Sequence, residues 1–299
     1  MISNQILSII LVTYNSSELI KSSLEALKSN SNFKIYVVDN ASNDDTISII
    51  KKNFPDIEIL ISPKNMGFSR ANNMALKIVK TKFSLILNVD ARITQEDILK
   101  TLKIMEQNPN IAMAGNIVHN CKYENNLIKD IVPCQKNLLQ LNGLQNNEFY
   151  INKFITGAGM FLNMEIMKKI GFFDEGFFLY CEDNEICKRV QKNGFQTAII
   201  KDTALIHIGG NSSKTTPQEM KKIYWHRFGW SKLYYSEKIY NKFIANIKAI
   251  RMIIKFSLTI LFEYIKTQKI SAIHSQGLKG SFAYLIGLKA FDKSDNPRG

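Results

Sequence analysis

Residues Ile6–Asp39, "ILSIILVTYNSSELIKSSLEALKSNSNFKIYVVD", decide the fold. The two ends, "ILSIILVT" (Ile6–Thr13) and "FKIYVVD" (Phe33–Asp39), are β-branched and almost continuously apolar, the pattern of strands covered on both faces. Between them Leu19, Ile20, Leu24 and Leu27 recur at helical spacing. Strand, helix and strand in this order predict parallel strands joined by a right-handed crossover. The rhythm then repeats. Ile47, Ile50 and Phe54 mark the inward face of a second helix, and "IEILIS" (Ile57–Ser62) reads as a third strand. "FSRANNMALKIVK" reads as a third helix, and "FSLILN" (Phe83–Asn88) as a fourth strand. The series βαβαβαβ predicts an α/β fold with a parallel, doubly wound sheet.

Beyond Asp90 the rhythm changes. "ITQEDILKTLKIMEQNP" predicts a helix capped by Thr94, and "IAMAGNIVH" another strand. Residues 120–152 are polar and Asn-rich and predict an excursion in the form of a hairpin. "FITGAGMFLN" returns to strand character, "CEDNEICKRVQKNGF" is a short amphipathic helix ended by Gly194, and "QTAIIKDTALIHIGG" holds one or two more strands. From Pro217 onward the pattern is helical.

Composition sets the outer bounds. The 299 residues are 45% hydrophobic and 22% charged, enough for a sizeable core in one large domain with an appendage. Residues 1–213 carry 23 Lys and Arg against 21 Asp and Glu, whereas residues 214–299 carry 16 against 5. A near-neutral body is therefore followed by a basic helical C-terminal segment suited to an anionic surface. The division expected is 1–213 and 214–299. Cys121, Cys134, Cys181 and Cys187 show no C-x-x-C spacing, which argues for free thiols in a reducing cytosol. "MISNQILSIILVTYN" lacks a basic leader and reads as a first core strand.

In an open α/β sheet, ligands bind at the carboxyl ends of the strands. Those ends read Thr13-Tyr14-Asn15, Asp39-Asn40-Ala41-Ser42, Pro63-Lys64-Asn65-Met66-Gly67 and Asn88-Val89-Asp90, all polar, small or acidic. Asp39 is placed to accept hydrogen bonds from a base or ribose, or, more plainly, to form the turn into the next helix, a role open also to Ser42 or Asp44. Asn65 and Gly67 precede a helix start whose amides could face a phosphate. Arg70, in the first turn of that helix, opposes the macrodipole unless it meets an anion. Asp90 sits where a divalent cation bridging a diphosphate would need a carboxylate. Thr94 is the better cap for the helix that follows.

A second acidic pair, Glu182 and Asp183, lies four residues before Ile186 and Cys187, which with Val190 form an apolar stripe. At a helix N-terminus the dipole favours the ionised form, as a general base requires. The plainer alternative is a cap with an ion pair to Lys188 or Arg189. His207, in a strand before two glycines, is either a core residue or a metal ligand beside Asp90. His119, His226 and His274 lack such a setting.

Taken in order, "SIILVTYNSSELI", "VVDNASNDDT", "NMGFSRANNMAL", "LILNVD", "FITGAGMFLNMEIMKKIGFFDEGFFLYCEDNEICKRVQKNGF" and "HIGGNSS" resemble the family 2 glycosyltransferases, inverting enzymes with a GT-A (Rossmann-like) fold. The likeness covers residues 6–213 and is strongest to the rhamnosyltransferase-like bacterial members. It implies that Thr13, Tyr14, Asn15 and Asp39 hold the nucleoside. It implies that Asn65, Gly67, Arg70, Asn72 and Asn88 line the donor site, and that Asp90 holds a divalent cation, Mg²⁺ or Mn²⁺, with His207 completing the set. Asp183 matches the catalytic base, Glu182 shapes the acceptor site, and Thr156–Leu162 form the wall between donor and acceptor. The metal motif departs from D-x-D, reading N-V-D with one carboxylate. The implied donor is a nucleoside-diphosphate sugar, with dTDP-rhamnose and UDP-sugars as candidates. The implied acceptor is a hydroxyl of a saccharide or lipid-linked saccharide in cell-surface polysaccharide synthesis. A non-catalytic nucleotide-sugar-binding domain is the alternative.

"NKFIANIKAIRMIIKFSLTILFEYIK" is hydrophobic but interrupted by Lys248, Arg251, Lys255 and Glu263, so it reads as an interfacial helix on anionic lipid, as a cap on the body, or as both. That reading gives a cytoplasmic protein, peripheral on the inner membrane. The basic residues are not set among groove-lining aromatics, which argues against nucleic acid as a partner.

Overall fold

The computed structural model of the chain describes residues 6–28, 33–124, 127–133, 142–145, 147–208 and 216–299. It divides into two compact units. The first comprises Met1–Asn65, Ala71–Phe172 and Ile186–Lys214, and the second Met66–Arg70, Phe173–Glu185 and Thr215–Gly299.

The chain runs β1 (Leu7–Thr13), α1 (Ile20–Lys28), β2 (Lys34–Asp39), α2 (Thr46–Asn53), β3 (Glu58–Ile61), α3 (Gly67–Leu76) and β4 (Phe83–Leu87). It continues β5 (Ala91–Arg92), α4 (Gln95–Gln107), β6 (Ile111–Glu124), β7 (Leu127–Pro133), β8 (Asn142–Gln145), β9 (Phe149–Ile151) and β10 (Gly159–Asn163). Then come α5 (Met164–Ile170), α6 (Glu182–Lys192) and β11 (Gln196–His207).

The strands form one sheet in the order β3-β2-β1-β4-β10-β6-β11-β9-β8, with β5 on β11 and β7 on β6. The sheet is mostly parallel, as the sequence predicts: β1 pairs with β2 and β4, β2 with β3, and β6 with β11. Antiparallel pairing enters where β10 slots between β4 and β6 and where β5 and β9 meet β11. Within the expected excursion, β6 pairs antiparallel with β7, and residues 125–126 between them lie outside the described residues. So do Gly209 and Gly210 of the "HIGGNSS" motif.

The strand order reverses between β1 and β4, the switch point where such folds bind ligands. Leu7, Ile9, Ile10 and Leu11 of β1 are all fully buried, which is why this strand is apolar at consecutive positions. Leu24 and Leu27 of α1 and Ile50 of α2 join the same core. Ile47 departs from its expected inward place: it is half-buried, and Thr46 and Ile50, one turn apart, make the inward face. Thr94 Oγ1 accepts from the Asp97 amide at 3.1 Å and caps α4 as its position predicts.

In the second unit, α7 (Pro217–Tyr224) opens with a capping box between Thr216 and Glu219. A π-helical turn at Trp225–Trp230 leads into α8 (Ser231–Ile239), α9 (Lys242–Thr267) and α10 (Ala272–Leu285). Its core gathers Phe178, Trp225, Trp230, Leu233, Tyr284 and Phe291. Trp230 stacks on Tyr234 at 4.7 Å, and its indole N–H donates to the Leu288 carbonyl at 2.7 Å. His226 is buried with Nε2 3.1 Å from the Arg298 carbonyl, and burial pushes its pKa down to about 3, so it packs as a neutral ring.

Gly229 and Gly280 let the π-helical turn and α10 meet backbone to backbone: a Cβ on Gly280 would lie 2.5 Å from the Trp225 carbonyl oxygen and 3.0 Å from the Trp230 nitrogen. Ala is ordinarily the better helix former. Here Gly280→Ala is expected to destabilise the chain by about 1–3 kcal/mol through overpacking. Denaturant unfolding followed by tryptophan fluorescence checks this, and an unchanged midpoint would contradict it.

Candidate active site

At the carboxyl edge of the sheet, two loops are stitched together around Asp39. Thr13, ending β1, donates its hydroxyl to Asp39 Oδ1 at 3.0 Å, and the Ser42 amide donates to Oδ2 at 2.9 Å. The Asn15 amide donates to Ser42 Oγ at 2.9 Å, and the Asn43 amide donates back to Asn15 Oδ1 at 2.8 Å. Asp44 accepts from the Ser17 and Thr46 amides, each at 3.0 Å. The turn is therefore made by Asp39 itself, with Asp44 tying both loops to the start of α2. Asp39 is fully buried, whereas Tyr14 and Asn15 are half-exposed on the rim. Asn40, named among the polar strand ends but given no role of its own, donates from Nδ2 to Asn65 Oδ1 at 2.9 Å and so brings Asn65 into this group. Asn15 and Ala41 hold φ of 49° and 65°, a left-handed backbone rare outside glycine. Asn72, on α3, is fully buried.

Beside this rim lie Asn88, Val89 and Asp90. The register of β1 on β4, Ile10 against Ile86, puts the residues after Leu87 on the same edge as Thr13. Val89 is buried in the core, and the Asn88 amide donates to the Ala158 carbonyl at 3.0 Å, docking the Thr156–Leu162 segment against this strand end. Asp90 is 1% exposed, and its Oδ1 has no hydrogen-bond partner among the described residues.

What stands near Asp90 is His207. The two-residue strand β5 pairs antiparallel with the end of β11, Ala91 opposite His207, and the Ile208 amide donates to the Asp90 carbonyl at 2.9 Å. His207 Nε2 comes to 3.4 Å from Asp90 Oδ1, with its side chain 26% exposed. A desolvated carboxylate oxygen lacking a donor is costly. Paired with a half-exposed imidazole nitrogen, it is a fit donor set for a divalent cation. Among the described residues no third His, Cys, Asp or Glu joins them.

The remaining residues belong to the second unit. Gly67 has φ +80°, and a Cβ there would run into the Phe178 carbonyl oxygen, so glycine is required by the chain's own backbone. The Phe68 amide donates to the same carbonyl at 2.9 Å. Arg70 does meet an anion: it pairs with Asp295 at 2.6 Å, lies 3.7 Å over the Phe291 ring and donates from Nε to the Glu175 carbonyl at 3.0 Å. Sequence reading had no signal for Asp295, which stands 225 positions away.

Glu182 and Asp183 open α6 after two consecutive non-glycine residues in left-handed conformation, Tyr180 (φ 69°) and Cys181 (φ 71°). Strain of this kind costs about 1–3 kcal/mol per residue and persists where the surroundings fix it. Arg227 lies 5.2 Å from the Tyr180 ring centroid. Asp183 is half-buried, and its Oδ1 accepts from the Asn184 amide at 2.8 Å. Glu182 is buried with Oε2 unpaired among the described residues. Burial, reinforced by the neighbouring Asp183 charge, pushes its pKa up to about 8. The Cys181 thiol is likewise raised, to about 12, chiefly by burial, and is chemically quiet. Arg189 is turned onto the carbonyls of Ile170 and Gly171 within the first unit, at 2.9 and 2.6 Å.

The family model for glycosyl transferase family 2 matches residues 8–171, and the chain belongs to that family. Among curated relatives, the low-salt glycan biosynthesis hexosyltransferase Agl10 of Haloferax volcanii is 27% identical over 67% of this chain and 66% of its own length. The chain thus spans just under two thirds of that relative. The rhamnosyltransferase WbbL of Escherichia coli K12 is 22% identical over 73% of this chain and 88% of its own. Among solved structures, the mannosyltransferase PcManGT of Pyrobaculum calidifontis, in complex with GDP-Man and Mn²⁺, superposes with a TM-score of 0.53 at 15% identity, covering 94% of this chain and 87% of that one. That likeness carries the fold, which is of the GT-A type.

Two outcomes are expected from these geometries. Asp90→Asn removes a buried carboxylate oxygen that has no hydrogen-bond partner among the described residues, so it should cost no melting temperature in cation-free buffer. A fall of several degrees would mean that the folded chain already pairs the carboxylate. For Glu182, a folded pKa raised above the ordinary 4.5 means stability is fully present below 4.5 and is lost as the pH rises through about 8. Glu182→Gln should therefore gain on the parent progressively across that window in thermal melts taken against pH. Parallel profiles would contradict the burial of an ionisable group there.

Proposed function

We propose that the chain is an inverting glycosyltransferase that moves a sugar from a nucleoside-diphosphate sugar to an acceptor hydroxyl. The observation that carries this reading is the buried Asp90 Oδ1 at the switch point of the sheet, without a hydrogen bond among the described residues and with His207 Nε2 3.4 Å away. Asp90 and His207 would hold Mg²⁺ or Mn²⁺, with the diphosphate and water supplying the other oxygens. The cation, when bound, supplies charge stabilisation to the departing diphosphate. The rim of Thr13, Tyr14, Asn15 and Asn65, braced by Asp39, would seat the nucleoside, and Asn72 and Asn88 would border the donor sugar. Gly67 and Arg70 would complete the donor side, Arg70 exchanging Asp295 for a donor oxyanion.

Asp183 would take the proton from the acceptor hydroxyl as its oxygen attacks the anomeric carbon and the bond to the diphosphate oxygen breaks. A single displacement inverts that centre. The N-terminus of a helix is a position that favours a carboxylate's ionised form, as a general base requires. Glu182, holding its proton through neutral pH, would shape the acceptor site as a hydrogen-bond donor.

The E. coli relative's name and the GDP-Man in the Pyrobaculum structure make dTDP-rhamnose, UDP-sugars and GDP-mannose the donors to test first. A saccharide or lipid-linked saccharide of a cell-surface polysaccharide would be the acceptor. No helix among the described residues is long and apolar enough to cross a membrane. The basic C-terminal segment supports a cytoplasmic enzyme that sits peripherally on the inner membrane.

Asp183→Asn is expected to lower turnover by about 10²–10⁴-fold, the range of general-base catalysis, while donor binding in the presence of cation is retained. Transfer assays with the active donor, paired with titration of that donor onto the variant, check this. Turnover within a few-fold of the parent would remove Asp183 as the base.

A further inference from the structure

The helix α9 is apolar on two opposite faces, and only one of them is used. Ala245 and Ala249 are fully buried, and Met252 packs against the same core. Phe256 lies against Gly277, where an added Cβ would stand 2.7 Å from its ring. At about 3.6 residues per turn, these positions share one side of the helix. Roughly half a turn away, Phe243, Ile247, Ile254, Leu258, Phe262 and Ile265 form a second stripe along almost the whole helix. All six are exposed: Phe243 is 73% exposed, Leu258 61% and Ile265 68%. Isolated exposed apolar residues need no explanation, but a continuous ridge about 33 Å long does.

The charges say what covers it. Arg251, Lys255 and Lys266 follow one flank of the ridge, and Arg251 and Lys255 are exposed. Glu263 is the helix's one acidic residue, and it is paired with His274 at 2.8 Å. The same face of a second copy, packed ridge to ridge, would bring no carboxylates to this cationic flank. An apolar ridge bordered by cations on one side suits a bilayer surface with anionic headgroups, the helix lying in the plane. Spanning is excluded by the opposite face, which is occupied by the unit's own core.

We propose that α9 is an in-plane anchor: the Phe243–Ile265 ridge inserts among acyl chains and Arg251, Lys255 and Lys266 contact anionic phospholipid headgroups. This deepens the membrane side of the proposed function but rests on the geometry of the second unit alone.

The test is flotation of the full chain with vesicles of phosphatidylcholine mixed with phosphatidylglycerol, against phosphatidylcholine alone, at rising salt. The chain should float with the anionic vesicles and be released as salt screens the headgroups. Ile254→Glu with Leu258→Glu should weaken partitioning by about tenfold or more, and Arg251→Glu with Lys255→Glu by about tenfold. Both pairs are at exposed positions, so transfer to a soluble acceptor should be unchanged. Failure to float, or equal flotation of parent and both variants, would overturn the anchor. So would a ridge variant that turns a dimer into a monomer in sedimentation without changing flotation, which would assign the ridge to a second copy. Flotation involves no sugar transfer, so its failure leaves the glycosyltransferase reading to its own assay.

Discussion

Two residue pairs of antiparallel strand, Ala91 against His207 and Arg92 against Ile206, fix the chemistry of the sheet edge. Without β5, Asp90 would end a strand in a loop, and His207 would sit 117 positions away with no reason to approach it. With it, a carboxylate and an imidazole converge at the place where the sheet order reverses. The long β6–β11 parallel pairing carries the same constraint inward, since it sets where the end of β11 falls relative to the strand end at Asn88.

The stability of the body tolerates this arrangement. The core around β1 and β4 is fully desolvated, and the loops above it are tied by a chain of hydrogen bonds from Thr13 through Asp39 and Ser42 to Asn15. Against that stand costs in each unit: in the first, an Asp90 oxygen without a hydrogen bond among the described residues and left-handed backbone at Asn15 and Ala41, and in the second, a buried Glu182 and left-handed backbone at Tyr180 and Cys181. Strain and unsatisfied polar groups of this kind persist only where the surrounding structure fixes them, and functional sites are where proteins commonly carry them.

Much of this was legible in the sequence, and the physical reasons are separable. Strand and helix periods are local, so β1, α1, β2 and the cap at Thr94 could be read directly. A carboxylate at the end of an apolar strand has few structural uses, and so Asp90 stood out. Strand order is not local: nothing in "GMFLN" announces that β10 runs antiparallel between β4 and β6. Nor does any local pattern group Met66–Arg70 and Phe173–Glu185 with the C-terminal helices, or give Arg70 its partner in Asp295. Ile47 was misplaced because an eight-residue helix offers too few turns to fix its inward face.

The measurement that bears most directly on the Asp90–His207 site is thermal unfolding of the full chain with nucleoside diphosphates and their sugars, with Mn²⁺ or Mg²⁺ and again in chelator. A ligand that binds only the folded chain stabilises it by about 2.7 kcal/mol at a hundred times its Kd, a rise of several degrees in Tm. At least one nucleotide is expected to produce that rise with cation present and to lose it in chelator. An equal rise in chelator, or no rise with any nucleotide under either cation, would contradict a cation-bridged diphosphate at Asp90 and His207.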